Sequence, residues 1–159
     1  MTNQPLDIWT GEVIDEWVDY NGHMSEAFYG VVFAMASDEY LLRMGFDEGY
    51  RAETGGAFYT VETHICFLEE LAPHAPLVVR TTVVGADELR VHLFHELLGG
   101  PERVIAATQE SLLLHVDTTA GQVSPMGGAV HAVVSSDAAS HVGLVQPDQL
   151  GRTIKGPSR

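Results

Sequence analysis

Basic residues are scarce in this sequence: 8 Lys and Arg stand against 22 Asp and Glu among 159 residues, a formal net charge of −14. Proteins that bind nucleic acid take much of their affinity from Lys and Arg side chains that neutralise phosphates, so this balance argues against such a partner. It disfavours an anionic membrane surface for the same reason. We therefore expect no nucleic-acid partner and no membrane partner, and an acidic surface that tolerates a cationic ligand.

Cysteine is nearly absent, since Cys66 is the one cysteine of the chain. A single thiol excludes an intramolecular disulfide, which fits the reducing cytoplasm. Residues 1–10 lack the basic region and the apolar core of a signal peptide. No run approaches the roughly 18 apolar residues that a membrane span needs. These absences together predict a cytoplasmic protein.

The length and the composition, 45% hydrophobic and 19% charged, indicate one globular domain. We place this domain at residues 1–120. The remaining residues, 121–159, are rich in Gly, Pro, Ser and Ala and predict a C-terminal extension, either irregular or with a short helix near 131–141.

A long helix is predicted from Ser25 to Met44, with Ser25 as its N-cap and Gly45 as its stop. A strand over residues 11–18 and a turn at Asp19–Gly22 precede it. The centre of the helix is apolar nearly all round, which predicts burial on most of its sides.

Four runs of strand-like sequence follow the helix. The first alternates in polarity with a period of two, and short turns separate the last three, which predicts antiparallel neighbours. The runs are Phe58–Leu68, Leu77–Val84, Leu89–Leu98 and Val104–Val116. The order of elements predicts an α+β fold, a five-stranded antiparallel sheet wrapped around one long central helix. An edge strand of such a sheet is available for pairing with a second copy.

Several stretches together resemble a known family. They are Val18-Asp19-Tyr20-Asn21-Gly22-His23-Met24-Ser25-Glu26-Ala27, Tyr59–Ile65, Leu93–His95 and Leu113–Asp117. This combination resembles the hotdog-fold acyl-CoA thioesterases of the 4-hydroxybenzoyl-CoA thioesterase type. The similarity covers about residues 10–120, continues weakly into 151–154, and is strongest to the betainyl-CoA thioesterases, including the thioesterase part of L-carnitine dehydrogenase fusions.

The resemblance implies hydrolysis of a small acyl-CoA, with betainyl-CoA as the expected substrate, and makes Asp19 the leading catalytic residue. It also implies a homodimer or a dimer of dimers, with sites at the subunit interface, and no cofactor. An Asp before a helix lies in the field of the helix N-terminus, which favours its ionised form. Asp19 can then act as the nucleophile or as the general base on water, and the sequence leaves both roles open.

Neighbouring residues have chemically reasonable roles in such a site. Free N–H groups in the first helical turn, around Glu26 and Ala27, can form an oxyanion hole. Gly22 leaves room for the thioester to approach the backbone. Asn21 and His23 are further catalytic candidates that orient the substrate or the water.

Aromatic faces and carboxylates hold quaternary ammonium groups such as that of a betainyl group, and the sequence offers both near the motif. The substrate-binding candidates are Trp17, Tyr20, Tyr29, Tyr59, Thr60, Glu62 and His64. Ordinary core packing is the alternative role for the aromatic residues, and a polar solvent face is the alternative for Thr60, Glu62 and His64. Candidates for binding the phosphates of CoA are Arg80, Arg90 and Arg103.

Two other functions remain open on the sequence alone. One is a general thioesterase for aromatic or medium-chain acyl-CoA, and the other is a hotdog domain that binds a ligand without turnover. His92 and His95 point to opposite faces of one predicted strand, His115 lies on another, and their spacings are unlike those of zinc sites, so no metal is expected.

Overall fold

The structure, a computed structural model, describes residues 4–157; Met1–Asn3 and Ser158–Arg159, at the outer ends of the predicted domain and extension, lie outside the described residues. Within that range the elements are β1 (Leu6–Glu12), α1 (Glu26–Arg43), α2 (Glu48–Thr54), β2 (Gly56–Phe67), β3 (Pro76–Ala86), β4 (Arg90–Gly99), β5 (Val104–Asp117), β6 (Gln122–Val123) and α3 (Gly128–His141). None of the described helices is both long enough and apolar enough to cross a membrane.

The strands form one antiparallel sheet in the order β1-β3-β4-β5-β2, and the two-residue β6 pairs with the end of β5. The predicted sheet of five strands around a helix is thereby confirmed, with β6 as a short addition. β2 pairs with β5 along its whole length, with a break in register at Val61, and its other side is an open edge.

α1 lies against this sheet and ends within one residue of the predicted bounds. Ser25 occupies the N-cap position without a side-chain hydrogen bond, and Gly45 follows the helix with a φ of +89°, a conformation that glycine adopts readily. One side of α1 is buried against the sheet, so this side forms the centre of the core. Its buried residues are Tyr29, Val32, Phe33, Ala36, Tyr40 and Leu41.

The other side of α1 is not covered within one chain, although its composition predicts burial on most sides. Ala27, Val31, Ala34 and Met35 are exposed. The expectation therefore holds for only one side of the helix, because the single sheet supplies only one apolar surface.

The predicted strand over residues 11–18 is wrong. The first strand lies earlier, at Leu6–Glu12, and a short 3-10 turn spans Asp15–Trp17. Val13 exchanges backbone hydrogen bonds with the loop at His74–Ala75 rather than with a strand. The apolar residues that suggested a strand, Val13 and Trp17, are buried in the core instead.

The C-terminal extension contains the predicted helix, which begins at Gly128 and ends at His141. Its Val130 and Val134 belong to the same apolar cluster as Leu93 and Leu113 of the sheet. Asp137 of α3 accepts hydrogen bonds from the Tyr40 hydroxyl at 3.2 Å and from the Arg43 guanidinium at 2.9 Å. The domain boundary at residue 120 stays a prediction.

Candidate active site

Asp19 lies in a tight turn just before α1. Its backbone N–H donates to the His23 carbonyl at 3.0 Å, and the Gly22 N–H donates to the Asp19 carbonyl at 2.9 Å. Gly22 has a φ of +81°, which a glycine adopts without strain. The Asn21 N–H donates to Oδ1 of Asp19 at 2.8 Å, while no described residue donates to Oδ2. The turn thus fixes the position of the Asp19 carboxylate and leaves its Oδ2 free of hydrogen bonds from the described residues.

Two backbone donors at the start of α1 are available. They are the N–H groups of Glu26 and Ala27. The N–H groups before and after them already have acceptors: Ser25 donates to the Trp17 carbonyl at 2.9 Å and Phe28 donates to the Ser25 carbonyl at 3.0 Å. No acceptor within residues 4–157 meets the N–H of Glu26 or Ala27. Unsatisfied N–H groups at a helix N-terminus attract negative charge, so these two can stabilise an oxyanion.

A cavity of about 610 Å³ opens beside this helix start. It is called the helix-start pocket, and its lining residues are His23, Met24, Glu26, Tyr29, Phe67, Leu68, Glu69, Glu70 and Ala72. The loop after β2 supplies one wall of this pocket, because the Met24 N–H donates to the Leu71 carbonyl at 2.9 Å. The pocket therefore depends on contact between two parts of the chain that are distant in sequence.

The helix-start pocket is acidic. Glu26, Glu69 and Glu70 line it, and no Lys or Arg does. Nδ1 of His23 lies 3.4 Å from a carboxylate oxygen of Glu70, which links the end of the Asp19 turn to the opposite wall. Carboxylates without basic partners give a cleft a negative potential, which favours a cationic ligand.

Two aromatic rings, Tyr29 and Phe67, also line the same pocket. Tyr29 is buried and meets the edge of Phe67, with ring centroids 5.3 Å apart and the planes at 87°. Burial raises the pKa of Tyr29, so its hydroxyl stays neutral and donates to the Glu69 carbonyl at 3.3 Å. Trp17 stacks on Phe28 at 5.7 Å as part of the core and does not line the pocket.

The remaining predicted substrate-binding residues lie elsewhere on the single chain. Tyr20 is 97% exposed at the tip of the turn, and Tyr59 is exposed on the open edge of β2. Thr60 lines a separate cavity of about 250 Å³ beneath the middle of α1. Glu62 and His64 line a third cavity, of about 280 Å³. Within one chain, the helix-start pocket brings together His23 at the end of the Asp19 turn, Glu26 at the helix start and Tyr29. Neither Asp19 itself nor these strand residues line it.

Sequence reasoning missed the wall formed by Phe67, Glu69 and Glu70. The Glu69–Glu70 pair directly after a predicted strand was a visible signal, because two adjacent carboxylates at a strand end suit a cationic ligand. Nothing in the local sequence, however, shows that this loop packs against the turn at residue 19.

The three histidines considered as metal ligands have separate partners. His92 Nε2 lies 2.8 Å from a Glu110 oxygen, and His115 Nε2 lies 3.1 Å from the Tyr50 hydroxyl. His95 is buried on the opposite face of β4 from His92. In the part of the chain that is described, no three His, Cys, Asp or Glu side chains converge as metal ligands would.

Comparison with known proteins gives a consistent result. Residues 13–134 match the model of the thioesterase-like superfamily. The betainyl-CoA thioesterase of Pseudomonas aeruginosa is 38% identical over 156 residues, which are 98% of each chain. The bifunctional L-carnitine dehydrogenase/betainyl-CoA thioesterase of Agrobacterium fabrum is 40% identical over 151 residues, 95% of this chain and 31% of that one.

Solved structures agree on the fold. A candidate thioesterase from Pseudomonas putida KT2440 superposes with a TM-score of 0.82 at 31% identity, over 97% of this chain and 98% of that chain. A Staphylococcus aureus protein solved in complex with CoA superposes with a TM-score of 0.91 at 22% identity, over 99% of each chain. The described sheet and helix thus form a hotdog fold.

Proposed function

The chain belongs to the thioesterase-like superfamily and is an acyl-CoA thioesterase, and we propose that its substrate is betainyl-CoA, which it hydrolyses to betaine and free CoA. The observation that carries this choice is the helix-start pocket. Its wall combines two aromatic rings, Tyr29 and Phe67, with three carboxylates, and it lies beside the Asp19 turn. Aromatic faces and carboxylates are the groups that hold a quaternary ammonium.

We assign the central chemical role to Asp19. In one route Oδ2 attacks the thioester carbonyl, CoA leaves as the thiolate, and water then hydrolyses the mixed anhydride. In the other route Asp19 takes a proton from a water that attacks the same carbonyl. In both routes the N–H groups of Glu26 and Ala27 stabilise the oxyanion, and His23 and Asn21 hold the turn and the water. Acid quench during a single turnover distinguishes the routes, since only the first leaves an acyl group on Asp19.

A general thioesterase for aromatic or medium-chain acyl-CoA is the alternative function. Such a substrate calls for an extended apolar tunnel, whereas the pocket here carries Glu26, Glu69 and Glu70 on its wall. The acidic wall makes a neutral apolar acyl chain the poorer ligand, because its binding would desolvate carboxylates without compensation.

We also propose that two copies pair along β2. Tyr59, Val61 and Phe67 are each about half exposed on this open edge, at 55%, 52% and 51%. A twofold axis at the middle of β2 pairs the two strands antiparallel, so that the Gly56 end of one copy lies beside the Phe67 end of the other and Tyr59 lies opposite His64. Tyr59 and Thr60 of one copy would then complete the helix-start pocket of the second. A dimer, or a dimer of such dimers, is the form in which we expect activity.

The compartment is a further proposal. Cys66 is a free, partly buried thiol, which is in keeping with a reducing cytoplasm. Fractionation of cells that express the protein at its natural level tests this assignment, and recovery of the protein in an oxidising compartment would contradict it.

The test of function is CoA release, followed by a thiol reagent, across betainyl-CoA, acetyl-CoA, benzoyl-CoA and octanoyl-CoA. We expect betainyl-CoA to have the highest kcat/KM. Asp19→Asn is expected to lower kcat at least ~100-fold without loss of fold. Asp15→Asn is the matched control, because Asp15 is an exposed carboxylate four positions earlier that pairs with His74 at 3.2 Å. Equal turnover by Asp19→Asn and Asp15→Asn would remove Asp19 from the mechanism, and a preference for octanoyl-CoA would overturn the assigned substrate.

A further inference from the structure

The positive charges of this chain are distributed unevenly. All 22 acidic residues and five of the 8 basic residues fall in residues 1–148, a net charge of −17. Residues 149–159 contain no acidic residue and carry the other three basic ones, Arg152, Lys155 and Arg159. The described part of this stretch, residues 149–157, is called the C-terminal segment.

The five basic residues within 1–148 already have partners. Arg43 pairs with Asp137, Arg80 with Asp7 and Glu96, Arg90 with Asp87, and Arg103 with Asp7. Arg51 lies over the ring of Phe46 at 5.5 Å. Three of these, Arg80, Arg90 and Arg103, were the sequence-based candidates for binding phosphate, and each is paired with at least one carboxylate, Asp7 being shared by Arg80 and Arg103.

Arg152 and Lys155 differ from the other cations. Neither has a carboxylate within 4 Å among residues 4–157, although the chain is rich in carboxylates. Two cations without partners on a strongly acidic protein are available for an anionic ligand. Arginine suits a phosphate best, because its planar guanidinium donates two parallel hydrogen bonds.

A fixed contact places the C-terminal segment on the sheet. The Gly151 N–H donates to one oxygen of Glu110 at 2.6 Å, and the other oxygen of Glu110 lies 2.8 Å from Nε2 of His92. Glu110 alternates along β5 with Gln109 and Ser111, which line the cavity under α1, so the segment crosses the opposite, outer face. Each oxygen of Glu110 thus has a partner, and no ion pair joins Glu110 to Arg152 among the described residues.

The surroundings of Arg152 form a partly enclosed site. The outer-face pocket, about 280 Å³, is lined by Glu62, His64, His92, Glu110, Ser111, Leu112, Gly151, Arg152 and Thr153. Two of these residues, Glu62 and His64, belong to β2, the strand along which we pair two copies. In the described structure no ion pair joins Glu62 to Arg152. The segment thus lies at the seam of the proposed dimer.

We propose that Arg152 and Lys155 bind the phosphate groups of coenzyme A, at the end of the substrate remote from the thioester. This inference rests on the proposed function, because it assumes a CoA thioester as substrate. A substrate with a cationic acyl group and an anionic nucleotide needs sites of opposite charge. The acidic helix-start pocket and the basic C-terminal segment supply them, and the flexible pantetheine arm joins the two ends.

The test measures binding of CoA itself by calorimetry, and so does not depend on turnover. The variant is Arg152→Gln with Lys155→Gln in the full chain. The control is Arg90→Gln with Arg103→Gln, which changes the net charge by the same amount. We expect the Kd for CoA to rise at least about tenfold in the Arg152→Gln, Lys155→Gln variant, called the tail variant, and less than about threefold in the control. A rise of about tenfold is the effect of losing one hydrogen bond to a charged group.

Two further probes separate phosphate binding from a structural role of the segment. Pantetheine, which lacks phosphates, should bind the tail variant as it binds the unmodified protein, and added salt should weaken CoA binding less in the variant than in that protein. The proposal is overturned if the unmodified protein does not bind CoA, if both double variants lose equal affinity, or if pantetheine affinity falls with that of CoA. If the unmodified protein does not hydrolyse betainyl-CoA, the proposed substrate is refuted. A loss of CoA affinity in the Arg152→Gln, Lys155→Gln variant would support the phosphate site in that case as well.

Discussion

Lowering the pH from 7 to 5 is expected to destabilise the fold through His95, a residue remote from the proposed chemistry. His95 is completely buried between α1 and the sheet, with its ring stacked on Phe33 at 6.0 Å. Its Nε2 lies 3.0 Å from the Ser37 hydroxyl and its Nδ1 lies 2.8 Å from the Thr81 hydroxyl. Both ring nitrogens thus have neutral partners, and no carboxylate compensates a positive charge on the ring.

The size of this loss in stability follows from the pKa of His95. Burial lowers this pKa from 6.5 to about 4. Between these two values the unfolded chain binds a proton that the folded chain excludes, so stability is full above pH 6.5 and is lost as the pH falls towards 4. At about 1.36 kcal/mol per pH unit the whole window is worth roughly 3 kcal/mol, of which about 2 kcal/mol is lost by pH 5.

Urea unfolding at pH 7 and pH 5 measures this loss. His95→Gln is the test variant, because an amide can bond to both Ser37 and Thr81 and does not titrate. His131→Gln, on α3, is the control. The unmodified protein and the control should each lose about 2 kcal/mol more than His95→Gln between the two pH values. Burial also lowers the pKa of His141, but His141 is present in all three proteins and cancels in the comparison.

The ring resonances of His95 supply an independent measurement, useful if His95→Gln folds poorly. In the folded protein they should not shift between pH 8 and pH 5.5. A titration midpoint near 6.5 would show that the ring accepts a proton without cost, and would refute the reasoning. Equal pH dependence of stability in the unmodified protein and in His95→Gln would refute it as well.

Two further predictions concern the sheet. Ser111 has a buried hydroxyl without a hydrogen-bond partner among the described residues. Ser111→Ala should therefore leave the free energy of unfolding unchanged or raise it by about 1 kcal/mol. A lower free energy of unfolding, measured in urea, would show that the hydroxyl has a stabilising partner. Val61→Lys should convert the proposed dimer to a monomer and lower activity, because it places like charges opposite each other at the β2 edge. Light scattering after gel filtration measures the mass, with Val61→Thr as the control, and a Val61→Lys protein that stays dimeric would exclude this edge.

The fold was predictable where the sequence pattern has one structural explanation. The start and end of α1 carry separate signals at Ser25 and Gly45, and the last three long strands are separated by short turns, so their bounds agree with the structure within about two residues. β1 was not predictable in this way. Its sequence, Leu-Asp-Ile-Trp-Thr-Gly-Glu, mixes partly buried apolar residues with exposed polar ones, as suits an edge strand, whereas the more strongly apolar stretch that follows fills the core without forming a strand.

The candidate site likewise has one part that local sequence predicts and another part that it does not. The Asp19 turn and the free donors at Glu26 and Ala27 are local features, since turn residues followed by a helix N-terminus place them together. The Glu70 wall depends on the hydrogen bond between Met24 and Leu71, two residues far apart in sequence. No periodicity or capping rule reports such a contact, so only the folded chain shows that the pocket is acidic.

Packing within one chain does not explain the apolar composition of α1. A helix that is apolar nearly all round needs apolar neighbours nearly all round, and the sheet of one chain covers only the Phe33 side. The uncovered side carries Val31 and Met35, exposed by 38% and 40%. Ala34 of this side shares a cavity with Thr60 of the β2 edge, so the exposed parts of the helix and of the strand adjoin. A second copy that pairs along β2, as we propose, would cover both surfaces and would explain why α1 is apolar on the side that the sheet of one chain leaves exposed.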